Sequence, residues 1–128
     1  MQNQALLTKD KNKNHCLTQA EFGTRFNNKI GAKYIGRLLK IVGLAKRSYN
    51  RTIPYQEFVP KYAVNIINNN ENVTYDIAYK WNYNNCSRFI NQWLLDNDYH
   101  DEFYSIIDKN ELMKFIDGLY DKYINHID

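Results

Sequence analysis

Two prolines, two cysteines and five glycines are all that this 128-residue chain holds of those types, and each shortage excludes something. The five glycines form neither G-x-G-x-x-G nor a P-loop, so a glycine-rich phosphate cradle is excluded. Cys16 and Cys86 offer neither zinc-site spacing nor a disulfide framework, and they point to a reducing compartment. No stretch approaches the roughly 20 apolar residues of a membrane span. No N-terminal stretch joins a basic start to an apolar run and a small-residue cleavage site. The expectation is a cytoplasmic protein without a membrane partner. The two prolines, Pro54 and Pro60, leave room between them only for a turn or short helix such as Tyr55 to Phe58, followed by a segment from Lys61 to Asn68.

What the chain does have is apolar area. Hydrophobic residues make up 44% and aromatics 15%, with 11 tyrosines, enough for one core and too little length for two ordinary ones. The net charge of +3 is unevenly spread. Residues 1–62 carry twelve lysines and arginines against three acids, a net +9, whereas residues 63–128 carry five against eleven, a net −6. Such polarity implies two surfaces with different partners, the basic half suited to a polyanion.

The basic half contains a helix signal. Thr18 and Glu21 form a T-x-x-E capping box that starts a helix over about Gln19 to Asn27. Ala20, Phe22 and Phe26 supply its apolar side, and Asn27-Asn28 supplies a left-handed end. Ile35, Leu38, Leu39 and Val42 then recur at i, i+3, i+4 and i+7, a second amphipathic helix stopped by Gly43. At 100° per residue, with Lys33 at 0°, Arg37 falls at about 40° and Lys40 at about −20°, opposite an apolar stripe between about 140° and 240°. Tyr34 sits at the margin, where it could touch a sugar or base edge. A recognition helix needs this arrangement, one face buried to fix its angle and the other presenting cations. An ordinary helical hairpin with snorkelling lysines would show the same two faces.

A basic loop with Lys46, Arg47 and Arg51 follows, leading into the short strand-like Thr52-Ile53, as a wing would. The best strand alternates from Val73 to Trp81 and could pair with that segment. The stretch Leu17–Leu44 resembles the helix-turn-helix of phage antirepressor-type proteins, through Thr18, Glu21, Gly23, Ala32, Leu38, Leu39, Gly43 and Leu44. The likeness covers Leu17 to about Phe58. It implies a winged helix, mainly α with a small β wing, and a regulatory role in DNA binding.

In the acidic half, Cys86, Phe89, Ile90, Trp93 and Leu94 mark a helix over about Asn84 to Leu95. Leu112, Phe115, Ile116, Leu119, Tyr120, Tyr123, Ile124 and Ile127 mark a final helix capped by Asp108. Leu119, Tyr120, Tyr123 and Ile127 are candidates for a protein interface, a homodimer above all; packing on the helix at 84–95 is the alternative. The acidic stretch Asp96 to Asp108 fails as a calcium loop, with Asp101 where glycine and Ile107 where glutamate belong. It has no recognisable partner for a two-metal site either, so it is expected to be a connector between helices. No Ser/His/Asp or Cys/His arrangement has a supporting motif, and neither an enzyme nor a cofactor or metal site is expected.

The organisation expected is a basic N-terminal segment (1–16), a winged helix-turn-helix (17–83) and an acidic helical extension packing on it (84–128). The function expected is sequence-specific binding of double-stranded DNA by a phage or mobile-element regulator. Lys29, Lys33, Tyr34, Arg37, Lys40, Lys46, Arg47 and Arg51 form its DNA face. The rival is an antirepressor, anti-restriction or anti-CRISPR factor binding a basic host protein through Asp96, Asp98, Asp101, Glu102, Asp117 and Asp121. A replication or packaging accessory protein is a third, weaker reading.

Overall fold

The computed structural model describes residues 16–48, 51–67 and 77–125. A two-residue strand, β1 (Cys16–Leu17), leads into helix α1 (Gln19–Arg25). Both halves of the capping box are made: Thr18 Oγ1 accepts from the Glu21 N–H at 3.1 Å and Glu21 Oε1 accepts from the Thr18 N–H at 2.9 Å. These bonds hold the Glu21 carboxyl below its ordinary range. The helix ends sooner than its sequence suggests. Phe26 is extended, Asn27–Lys29 form one 3-10 turn, and the left-handed residues are Lys29 and Gly31 rather than Asn27 or Asn28. Phe26 and Ile30, at the two ends of that turn, are both buried, which places the reversal between them.

Helix α2 (Gly31–Ile41) lies directly against α1. A Cβ on Gly23 would stand 2.3 Å from the carbonyl carbon and oxygen of Gly31, so the two backbones meet where only glycine fits. The far end of α2 closes in a complete Schellman motif: the Leu44 N–H donates to the Leu39 carbonyl at 3.0 Å and the Gly43 N–H to the Lys40 carbonyl at 3.1 Å, with Gly43 at φ 91°.

The chain then forms an antiparallel hairpin, β2 (Ala45–Ser48) with β3 (Arg51–Pro54), and a 3-10 turn at Gln56–Phe58. Strands β4 (Ala63–Ile67) and β5 (Ile77–Asn82) join β1 in a second antiparallel sheet, ordered β1-β5-β4. This corrects the pairing of β5 with the hairpin that the sequence allows. Trp81 is buried opposite Leu17 on one side and Ala63 on the other, which fixes β5 between β1 and β4. Residues 73–76 of the expected strand lie outside the described residues.

Helix α3 (Tyr83–Asp96) is capped by Asn82, whose Oδ1 accepts from the Asn85 N–H at 2.9 Å. The expected acidic connector contains helix α4 (His100–Ser105). Its organising residue is Phe103, fully buried, with its ring 6.2 Å from those of both Phe26 and Phe115. Helix α5 (Lys109–Tyr123) starts at Asp108, whose Oδ2 accepts from the Glu111 N–H at 3.0 Å.

The fold is mainly helical with small antiparallel sheets, and one buried cluster runs from Leu17 to Tyr120. Helix α5 packs on α2, because Tyr34 and Ile41 widen the buried side of α2 beyond the stripe visible in the sequence. Leu112, Ile116, Leu119 and Tyr120 are therefore inside, each fully buried aliphatic stabilising by roughly 1.5–3 kcal/mol. Leu119 at 5% and Tyr120 at 6% exposure are core residues, a correction to their expected place on an interface. Tyr123 is half-buried against Trp93, with ring centroids 5.2 Å apart, and Ile127 lies outside the described residues. No described helix is long and apolar enough to cross a membrane.

Candidate nucleic-acid interface

The cations of α2 sit at the floor of a cleft. One wall comes from Gln19 of α1 with Arg47 and Thr52 of the hairpin, and the other from Tyr120 of α5 with Asn125 just beyond it. The cleft is open to solvent on one side and offers about 540 Å³, and Lys33, Arg37, Lys40 and Arg47 all line it. Gly36 makes the hairpin wall possible. A Cβ there would come within 2.4 Å of Gln19 Nε2 and 2.7 Å of Thr52 Oγ1, and Gln19 Nε2 itself donates to the Ala32 carbonyl at 2.7 Å.

Each cation of α2 has a different setting. Lys33 is exposed, its Nζ 5.8 Å from the Tyr34 ring centroid. Arg37 is held: its Nη1 donates to Asp117 Oδ1 of α5, and its guanidinium lies 5.3 Å from the Tyr34 ring and 5.1 Å from the Tyr120 ring. Lys40 is half-buried, 5.8 Å from the Tyr120 ring. Burial, then the neighbouring Arg47 and Arg37, push its ammonium below the usual lysine range.

Tyr34 departs from expectation. It is only 9% exposed, and its hydroxyl donates to Asp117 Oδ2 at 3.2 Å, so its polar tip is turned to α5 instead of a base edge. The reason lies at about 100° on the helical wheel, the flank that α5 covers. Asp117, expected among the carboxylates that draw a basic partner, is engaged inside the chain by Tyr34 and Arg37. Asp96, Asp98, Asp101, Glu102 and Asp121 are exposed.

The pleat divides the hairpin's cations. Lys46 stands opposite Ile53, Arg47 opposite Thr52 and Ser48 opposite Arg51. Successive residues alternate faces, so Arg47 and Thr52 share the cleft side while Lys46 and Arg51 share the other. Lys46, Arg47 and Arg51 are exposed, as is Lys29 at the turn before α2. Among the described residues no carboxylate forms an ion pair with Lys33, Lys40 or Arg47.

Gln19, Thr52 and Asn125 escape a reading of the sequence as site residues, because they reach the cleft through the crossing of α1, the hairpin register and the docking of α5, and Asp117, expected as an exposed acid, is instead the partner of Arg37. Only Asp117 leaves a trace, since its i, i+3 relation to Tyr120 places both on one flank of α5. No group of three or more metal-ligating side chains occurs among the described residues. Cys16 and Cys86 are both buried, and Cys86 Sγ donates to the Tyr62 carbonyl at 3.2 Å. Comparison with protein families, with curated proteins and with solved structures finds no match for this chain.

Proposed function

We propose that this protein is a winged helix-turn-helix that binds double-stranded DNA, as a sequence-specific regulator of phage or mobile-element type. The observation that supports this reading is that Lys33 and Lys40 of α2 and Arg47 of the β2–β3 hairpin line one concave surface, and none of them forms an ion pair with a carboxylate among the described residues. Helix and hairpin thus present charge of one sign to one ligand, the condition for counterion release along a phosphate backbone. Lys33 and Lys29 approach the duplex first, from the N-terminal end of α2. Arg47 and Lys40 neutralise phosphates within the cleft, and Lys46 and Arg51 reach the backbone from the outer face of the hairpin. Arg37 reads a base only after exchanging Asp117 for it. Tyr34 supports the helix and takes no part in readout.

Selection of duplexes from a random library tests this reading. Enrichment of a short motif supports it, and a pool that stays random through successive rounds counts against sequence specificity. A second reading is favoured by the exposed acids Asp96, Asp98, Asp101 and Glu102 around the α3–α4 turn, beside Leu95 at 52% and Ile107 at 88% exposure. There the acidic half binds a basic protein. Retention on a basic-protein column that is lost when the four acids become amides distinguishes it.

A further inference from the structure

The crowding around Lys40 carries a separate consequence. Four cations line the cleft, and the acid bound to one of them, Asp117, is engaged by Arg37. Lys40 is half-buried beside Arg37, Arg47 and the Tyr120 ring, and among the described residues no carboxylate pairs with it. Like charges enclosed on several sides are relieved most by an anion in their midst. The remaining lining is uncharged: the Thr52 hydroxyl, Ala32, the Tyr120 ring, and the Gln19 and Asn125 amides, which donate to the Ala32 carbonyl and to Asp121 and keep their oxygens and second N–H groups for a ligand. A volume of about 540 Å³ exceeds what a lone phosphate fills and falls within the range of small-molecule sites, roughly 300–1,000 Å³.

We infer that the cleft between α2, the β2–β3 hairpin and the end of α5 is a binding site for a phosphate-bearing ligand of nucleotide size. Lys40, Arg47 and Lys33 hold the phosphate, and Thr52, Asn125 and Gln19 offer hydrogen bonds to the remainder. The site stands on the convergence of these cations on one cleft. Its competition with a duplex for Arg47 and Lys33 rests on the function proposed above. The same chemistry is supplied by a free nucleotide or by one nucleotide unit of a nucleic-acid backbone.

The test is calorimetric titration of the full chain with ATP, with inorganic pyrophosphate and with a short duplex, at one salt concentration. Saturable binding of ATP and pyrophosphate, weakened at least tenfold by Lys40→Met and unchanged by Lys114→Met on the exposed side of α5, supports a free phosphate ester as ligand. Binding of the duplex alone, with the same tenfold loss in Lys40→Met, supports the backbone as the source. Nucleotide binding without duplex binding leaves the cleft site standing and removes the DNA reading. Absence of saturable binding by all three ligands, or equal losses in Lys40→Met and Lys114→Met, overturns the inference. Arg47→Gln, on the exposed hairpin, repeats the test without disturbing a half-buried position, and circular dichroism verifies the fold of each variant.

Discussion

Asp117 of α5 accepts from both Tyr34 and Arg37 of α2, which ties the acidic half of the chain to the helix that carries the basic stripe. The carboxylate occupies, for Arg37, the place that a phosphate or a guanine edge would take. Replacing it therefore has two expected effects of opposite sign.

In Asp117→Asn, Arg37 loses its counter-charge while Tyr34 keeps an acceptor. The pair is partly exposed, 26% for the Arg37 side chain and 41% for Asp117, so screening limits the loss of stability to about 1 kcal/mol or less. Duplex binding is expected to tighten about fivefold, the equivalent of roughly 1 kcal/mol. Fluorescence anisotropy beside a urea melt checks both. Unchanged affinity shows that Arg37 does not reach the ligand.

The cap, the periodicity and the Gly43 stop of the N-terminal half were legible in the sequence because they are local, whereas the left-handed residues of the first turn, Lys29 and Gly31, were not. Thr18 and Glu21 interact over three residues, and Ile35, Leu38, Leu39 and Val42 share a face whatever covers it. What covers it was not legible. Whether α5 lies on α2 or on another copy depends on a contact between residues 83 apart, Tyr34 and Asp117. The same limit explains Tyr34, at the margin of a wheel that has no neighbours, and Leu119 and Tyr120, whose exposure depends on docking. Lys46 and Arg47 stood together as a basic run until the strand register set them on opposite faces. The four-residue strands of the hairpin and the single turn and a half of α4 are too short to show a period.

Gly23→Ala is expected to destabilise the fold by about 1–3 kcal/mol, since its methyl group would collide with backbone at Gly31 rather than with a yielding side chain. A urea titration with an unchanged m-value checks it. Wild-type stability in this variant shows that α1 and α2 are farther apart than described.

Leu119→Ala removes a side chain that is 5% exposed, with an expected loss of about 2–5 kcal/mol. Because α5 is buried against α2 of its own chain, the melting temperature of wild type and variant is expected to be independent of protein concentration. A melting temperature that rises with concentration in the wild type and not in the variant returns Leu119 to an interface between copies.

Burial, reinforced by the neighbouring Cys16, pushes the Cys86 thiol up to about 12 from an ordinary value of 9.0. The folded chain keeps this proton while the unfolded chain sheds it, so the contribution is fully present below about 9 and declines as pH rises towards 12, by up to about 1.4 kcal/mol per pH unit. Lys40, whose proton is held less tightly in the fold, acts in the opposite sense. The comparison is therefore between wild type and Cys86→Ala, whose alkaline decline in denaturant midpoint is expected to be shallower. Parallel curves show that the thiol is accessible in the folded state.

The most direct measurement of a duplex-binding face built from α2 and the hairpin is the dependence of duplex affinity on salt in wild type, Lys33→Gln and Arg47→Gln. If both cations meet phosphates, log affinity falls linearly with log salt, and each substitution flattens the slope by about 0.9. Identical slopes in all three proteins, or a wild type that binds no duplex at low salt, contradict it.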